Sequence, residues 1–180
     1  MKKLFITLGI IALLSLSAFA QQSCGTVKDY DGNTYKTVQL GSQCWMAENL
    51  KTTHYSDGAL INQQEPMFFS GLVTYWMYPD RNSSNKAKYG LLYNWVAVMH
   101  NASSSNGNPS GVQGICPKGW HVPSDAEWTQ LIDYVKSQPQ YHCGGDSQKI
   151  AKSLASTSGW SNSSTPCAIG NNPSTNNATG

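Results

Sequence analysis

The sequence predicts an α+β domain of short antiparallel strands with two or three short helices, stapled by disulfides. Three observations carry that expectation. Short runs of alternating apolar and polar residues are broken by Asp-Gly and Gly-Ser turns early in the chain. A capping signature opens an amphipathic helix further on. Five cysteines accompany an export-type leader.

The leader comes first. In "MKKLFITLGIIALLSLSAFAQQ", Lys2 and Lys3 precede an apolar run from Leu4 to Leu16, and Ala18-Phe19-Ala20 supplies the small residues a signal peptidase reads. The run is shorter than the roughly 20 residues a spanning helix needs. Residues 1–20 are therefore expected to be a signal peptide and residues 21–180 an exported domain, with no membrane span after cleavage. Gln21-Gln22-Ser23 before Cys24 does not match a lipidation site. The net charge of +2, with only 12% charged residues, leaves no basic stripe for a nucleic-acid partner. Abundant Ser, Asn, Gly and Thr give a neutral hydrogen-bonding surface instead.

Val27 and Tyr30, the turn Asp31-Gly32-Asn33, then Tyr35, Val38 and Leu40 read as a hairpin. A calcium loop starting at Asp29 fails, because Thr34 and Leu40 stand where Gly and Glu are required. After Gly41-Ser42, Cys44-Trp45-Met46 restarts a strand. Residues 49–80 read as loop-rich, with Phe68, Phe69, Tyr75, Trp76 and Tyr78 crowded between two prolines. In "KYGLLYNWVAVM", Tyr89, Leu92, Trp95, Val96 and Met99 recur at helical spacing, which favours a buried helix over a buried strand.

The segment "GICPKGWHVPSDAEWTQLIDYV", Gly114 to Val135, reads as turn and short strand to Trp120. A helix then opens on the capping box of Ser124 and Glu127. Trp128, Leu131, Ile132 and Val135 form its expected apolar face. The segment is expected to brace the scaffold and make no bonds itself. A second helix is expected from Asp146 or Ser147 through "QKIAKSLAS", with Ile150, Ala151 and Leu154 inward and Gly159 closing the segment. The Asn- and Ser-rich end shows no strand or helix signal, and such composition by itself reads as a disordered tail.

Among the cysteines, the nearest pairs in sequence are Cys24 with Cys44 and Cys143 with Cys167, and closing such loops stabilises by ~3 kcal/mol each. Spacing alone does not fix connectivity. Cys116 is left unpaired, as a thiol lacking its partner or as a nucleophile or metal ligand. Pro117 follows it, and neither a Cys-x-x-Cys nor a histidine at ligand spacing supports the second alternative.

"DYDGNTYKTVQLGSQCWMAENLKTTHYSDG", "YGLLYNWVAV" and "GICPKGWHVPSDAEWTQL" together resemble, in order, the motifs of the Fibrobacter succinogenes major paralogous (FISUMP) domain family, over nearly all of residues 24–180. The resemblance implies an exported bacterial protein with a C-type-lectin-like fold, related to formylglycine-generating enzymes and phage-receptor-binding proteins. It also implies C-terminal truncation: family members continue past an Asn-rich loop like "GNNPSTNNATG" into further strands, one carrying a cysteine that would partner Cys116. An incomplete sheet with an open edge is then expected.

The function these readings imply is a non-catalytic extracellular binding or adhesion module, secreted or at the cell surface. Its expected partners are carbohydrates or surface proteins. Trp76, Tyr78 and Trp160 are the candidate ligand-binding residues; Trp45, Trp95, Trp120 and Trp128 are assigned to core packing. No catalytic residue, metal or cofactor is expected. Calcium-dependent sugar binding lacks its motif, since Met67 follows Glu65-Pro66 where lectins carry Asn. The alternatives are a structural cell-surface component and an enzyme of the formylglycine-generating type. His54, His100, His121 and His142 show no metal-ligand spacing, and His121 reads as structural.

Overall fold

A computed structural model of the protein describes residues 24–63 and 73–176. The expected signal peptide, Glu65-Pro66-Met67 and the aromatics Phe68 and Phe69 lie outside the described residues. The chain is α+β, with short strands in two three-stranded sheets.

The first sheet is the expected meander. Strands β1 (Thr26–Lys28), β2 (Thr34–Leu40) and β3 (Gln43–Met46) pair antiparallel, with Val27 opposite Tyr35 and Val38 opposite Trp45. The β1–β2 turn is built around Asp29, which accepts hydrogen bonds from Asn33 N (2.8 Å), Asn33 Nδ2 (2.7 Å) and the Tyr35 hydroxyl (2.5 Å). Gly32 supplies the positive φ the turn needs. The Tyr35 hydroxyl also accepts from Lys51 N at 2.8 Å, so this fully buried phenol pins the next segment to the hairpin. Between β2 and β3, a Cβ on Gly41 would meet the Tyr134 ring at 2.9 Å, so a helix packs too close for a side chain there.

The second sheet is mixed. Strands β4 (Asn62–Gln63) and β5 (Tyr75–Met77) run parallel, and β5 pairs antiparallel with β6 (Leu92–Tyr93). The parallel pair departs from the all-antiparallel expectation. Four helices appear among the described residues, α1 (Lys86–Tyr89), α2 (Trp95–Met99), α3 (Asp125–Ser137) and α4 (Ala151–Leu154), joined by short 3-10 turns. Only α3 is long. One core gathers Tyr55, Ile61, Trp76, Leu91, Ala97 and Ile115 around the second sheet. The other packs Leu131 and Val135 of α3 against Leu40, Tyr141 and Ile150.

Residues 88–99 do not form one buried helix. Gly90 takes a positive φ, with Leu50 O only 2.5 Å from where a Cβ would stand, and Asn94 caps a fresh helix by accepting from Ala97 N. The helical period restarts at Trp95, so Ala97 and Met99 point inward while Leu92 and Trp95 are exposed. Residues 114–120 make turns without a strand, closed by Cys116 N to Gln113 O and Trp120 N to Pro117 O.

The capping box of α3 is present in full. Its buried stripe is narrower than the apolar pattern. Glu127, Leu131 and Val135, spaced by four, face inward, whereas Trp128 is 48% and Ile132 37% exposed. The i+4 ridge is the fully buried row, and the flanking Trp128 and Ile132 stay partly in solvent. The second expected helix shrinks to α4, in which Lys152 and Ser153 are buried and Ala151 and Leu154 are exposed. Lys152 Nζ donates to the carbonyls of Asn171 and Asn172, and Ser153 Oγ to Tyr141 O at 2.6 Å. Polar groups are buried there because backbone carbonyls meet them. Residues 161–176 are a chain of turns held by side-chain amides: Asn171 Nδ2 donates to Ser163 O, and Asn176 Nδ2 to Ser156 O and Ile169 O. The disordered-tail reading is thereby corrected as far as Asn176.

Because Leu131 is 3% exposed and its neighbour Ile132 37%, truncation separates the two rows of α3. Leu131→Ala costs about 2–5 kcal/mol and Ile132→Ala under about 1.5 kcal/mol. Urea unfolding of both variants measures this, and equal losses contradict the packing described.

Candidate functional site

The disulfide Cys24–Cys44 (Cα–Cα 6.0 Å) ties the start of the described chain to β3. Beside it, β3 presents Gln43 and Trp45 to the N-terminal turns of α3, and the loop at Asn108-Pro109 and the turns at 116–123 close the other side. Together they enclose a groove of about 670 Å³. Three tryptophans line it, Trp45, Trp120 and Trp128. The Trp45 and Trp128 rings lie 4.6 Å apart, tilted by 43°.

The groove is woven together by amides. Trp45 Nε1 donates to Gln43 Oε1 (3.3 Å), and Gln43 Nε2 to the Glu127 carbonyl (3.1 Å). Asn108 Nδ2 donates to Gln130 Oε1 (2.7 Å), and Gln130 Nε2 to Ser42 Oγ (2.9 Å). Strand, loop and helix are thus joined by side chains whose carbon skeletons form the walls.

Glu127 is the electrostatic centre. Its Oε1 pairs with His121 Nε2 at 2.6 Å, and its Oε2 accepts from Ser124 N (3.0 Å) and Ser110 N (3.1 Å). Burial alone would raise its pKa. The hydrogen bonds from Ser124, His121 and Ser110 outweigh that and hold the carboxyl below the ordinary glutamate range. No lysine, arginine or aspartate is among the described residues lining the groove.

Cys116 and His121 both line this groove, an arrangement that invites a nucleophilic reading. The chemistry runs the other way. Burial pushes the Cys116 thiol up to about 12, so it stays protonated near neutral pH. His121 Nε2 is engaged by Glu127, and no hydrogen bond joins it to the sulfur among the described residues. Elsewhere, His54 Nδ1 pairs with Asp31 at 2.5 Å and His100 stacks on Tyr55 at 3.6 Å. Among the described residues, no group of three or more His, Cys, Asp or Glu is arranged to hold a metal ion.

The expected ligand-binding residues do not come together. Trp76 is 7% exposed, in the core of the second sheet, with Nε1 donating to Ile61 O at 3.0 Å, so it offers no free face. This corrects its reading as a sugar platform. Tyr78 is half-buried edge-on to Trp76, with centroids 5.1 Å apart. Trp160 is 41% exposed, its Nε1 donating to Ser156 O, and it lies outside the groove lining. The assignment of Trp128 and Trp95 to the core is also corrected, since they are 48% and 64% exposed. Cysteines 24 with 44 and 143 with 167 are bonded, and Cys116 is the free, buried thiol. The Gly114–Val135 segment therefore both braces the fold and supplies Cys116, Trp120, His121, Glu127, Trp128 and Gln130 to the groove.

A family model described as the Fibrobacter succinogenes major domain matches residues 38–180, well over half of the chain. No curated protein and no solved structure matches it.

Two outcomes follow from this geometry. Titration of the oxidised chain releases one thiol on denaturation and almost none in the folded state at about pH 8; two or more reactive thiols contradict the two-cystine pattern. Glu127→Gln keeps the capping box but loses the charge. Because the folded pKa lies below the unfolded one, the charge contributes stability above the ordinary glutamate range and loses it as pH falls through the depressed value. The variant is less stable at neutral pH by about 1–3 kcal/mol. Its urea midpoint also varies less between about pH 5 and pH 3 than that of the parent.

Proposed function

The chain belongs to the Fibrobacter succinogenes major domain family, and on that premise we propose that it is an exported, non-catalytic binding module. Its partner is an extracellular carbohydrate or surface protein, taken up in the tryptophan groove. One observation carries this reading. A half-exposed tryptophan, Trp128, is held against a second one inside a concavity of about 670 Å³. Small-molecule sites span about 300–1,000 Å³ and combine apolar walls with a few placed polar groups. Leaving so much indole in water is unfavourable for folding, and engagement by a ligand gives it a use.

A binding rather than catalytic role agrees with the state of the two groups that would do chemistry. The Cys116 thiol is held neutral, and one nitrogen of His121 is committed to Glu127. Export agrees with two cystines, of which Cys24–Cys44 sits at the groove itself.

The test is retention of the oxidised chain on panels of bacterial-surface glycans and extracellular proteins, with tryptophan emission as the readout. Trp128→Ala is expected to weaken binding by roughly 30-fold or more, the loss of about 2 kcal/mol typical of a central aromatic anchor. It leaves the urea midpoint near that of the parent. Trp160→Ala binds as the parent does. A parent chain that binds nothing on either panel is a structural surface component instead. Binding that survives Trp128→Ala but is lost with Trp160→Ala moves the site elsewhere.

A further inference from the structure

We infer that the groove's ligand is an uncharged saccharide, stacked on Trp128 and held by polar side chains from the loop, the turns and α3. The inference rests on the binding-module reading above and narrows its ligand to one chemical class.

Charge points to this class first. The carboxylate lining the groove is already engaged by three hydrogen bonds, one from the His121 ring. With no lysine or arginine among the described lining residues, an anionic ligand would shed its water and find neither to pair with, and a cationic one would find only a carboxylate already held by three donors, an expensive exchange. An uncharged ligand avoids that cost.

The polar atoms left over point the same way. Trp120 Nε1 and Trp128 Nε1 are donors, Asn108 Oδ1 is an acceptor, and His121 Nδ1 serves as either. None has a hydrogen-bond partner among the described residues. Neither Trp120 Nε1 nor His121 Nδ1 is a sealed, unsatisfied atom, and Trp128 and Asn108 are exposed residues. A ligand that meets these atoms must both donate and accept at several points. Hydroxyl groups do both, and a sugar ring carries several at fixed spacing.

Shape agrees with both. A pyranose has one face of C–H bonds, which packs on an aromatic surface, and a rim of hydroxyls. The Trp128 ring, tilted 43° against Trp45, is a pre-set surface that need not be ordered on binding. Asn108 and Gln130 are hydrogen-bonded to each other and stand at the same groove as fixed polar groups.

The experiment is calorimetric titration of the oxidised full chain with neutral gluco-, manno-, xylo- and galacto-oligosaccharides. Uronic-acid oligomers and a library of extended peptides serve as comparisons. At least one neutral series is expected to bind, with tryptophan emission changing on saturation. Affinity changes less than about two-fold between low and high salt, because no charges are exchanged. Trp128→Ala lowers it by roughly 30-fold or more, and Asn108→Ala by roughly three- to ten-fold. The conservative Trp128→Tyr retains part of the binding, which guards against loss through misfolding. Binding confined to uronic-acid oligomers or peptides, and abolished by Trp128→Ala, overturns the saccharide while leaving the groove as the site. Failure of every neutral series to bind the parent overturns the saccharide as well. Neutral-sugar binding indifferent to Trp128→Ala overturns both the saccharide at this groove and the groove as the module's site.

Discussion

A loop, a turn and a helix start converge on one carboxylate. The Glu127 carboxylate accepts hydrogen bonds from Ser124 N at the start of α3 and Ser110 N in the preceding loop, and pairs with His121 in the turn between them. Its own backbone carbonyl accepts from Gln43 on β3. Hydrogen bonds to an ionised group contribute about 1.5–3 kcal/mol each, more than a neutral cap supplies. The helix that fills one core, the loop that forms one wall and the strand that forms the other are therefore all tied to this one residue, beside the links through Asn108, Gln130 and Ser42.

The groove exists because the core on its side is narrow. The inward row of α3 is Glu127, Leu131 and Val135, and that row is enough to cover β2. Gly41 lets the helix sit close at its Tyr134 end. Nearer the N-terminus, Trp45 and Trp128 stand between helix and strand with their rings tilted, and they line a space instead of closing it. The disulfide at Cys24 and Cys44 holds the first sheet together beside this opening. A concavity walled by rigid indoles and amide chains needs little ordering to receive a ligand, which conserves affinity.

The second core plays a different part. Trp76, expected to meet ligand, fills the interior of the second sheet, and its indole N–H is satisfied by Ile61 O. Tyr55 adds a hydroxyl that donates to Ala97 O at 3.1 Å, so both large aromatics there have polar partners. That half of the molecule contributes packing; the half built on α3 and the first sheet carries the tryptophan-lined groove. The thiol of Cys116 lies in the wall of the groove, and burial raises its pKa so that it stays protonated near neutral pH.

Local signals decided much of this on their own. The β1–β2 turn, the capping box of Ser124 and Glu127 and the break at Gly41-Ser42 are all short-range matters, whereas the sequence left cysteine connectivity open and the fold set it. The family relationship was legible for the same reason, since its motifs are contiguous. What the sequence could not decide is which side of an amphipathic element faces protein. Trp128 and Leu131 read alike in a helical pattern, and only the close approach of β2 along one ridge sends Leu131 in and Trp128 out. Likewise Trp76 and Trp160 read alike as aromatics in loop-rich segments, until the carbonyl of Ile61 gives the first an interior partner. Residues 88–99 looked like one helix because apolar spacing ignores Gly90, whose conformation is forced by the carbonyl of Leu50 from another part of the chain. Burial depends on neighbours remote in sequence, and those neighbours exist only once the chain has folded.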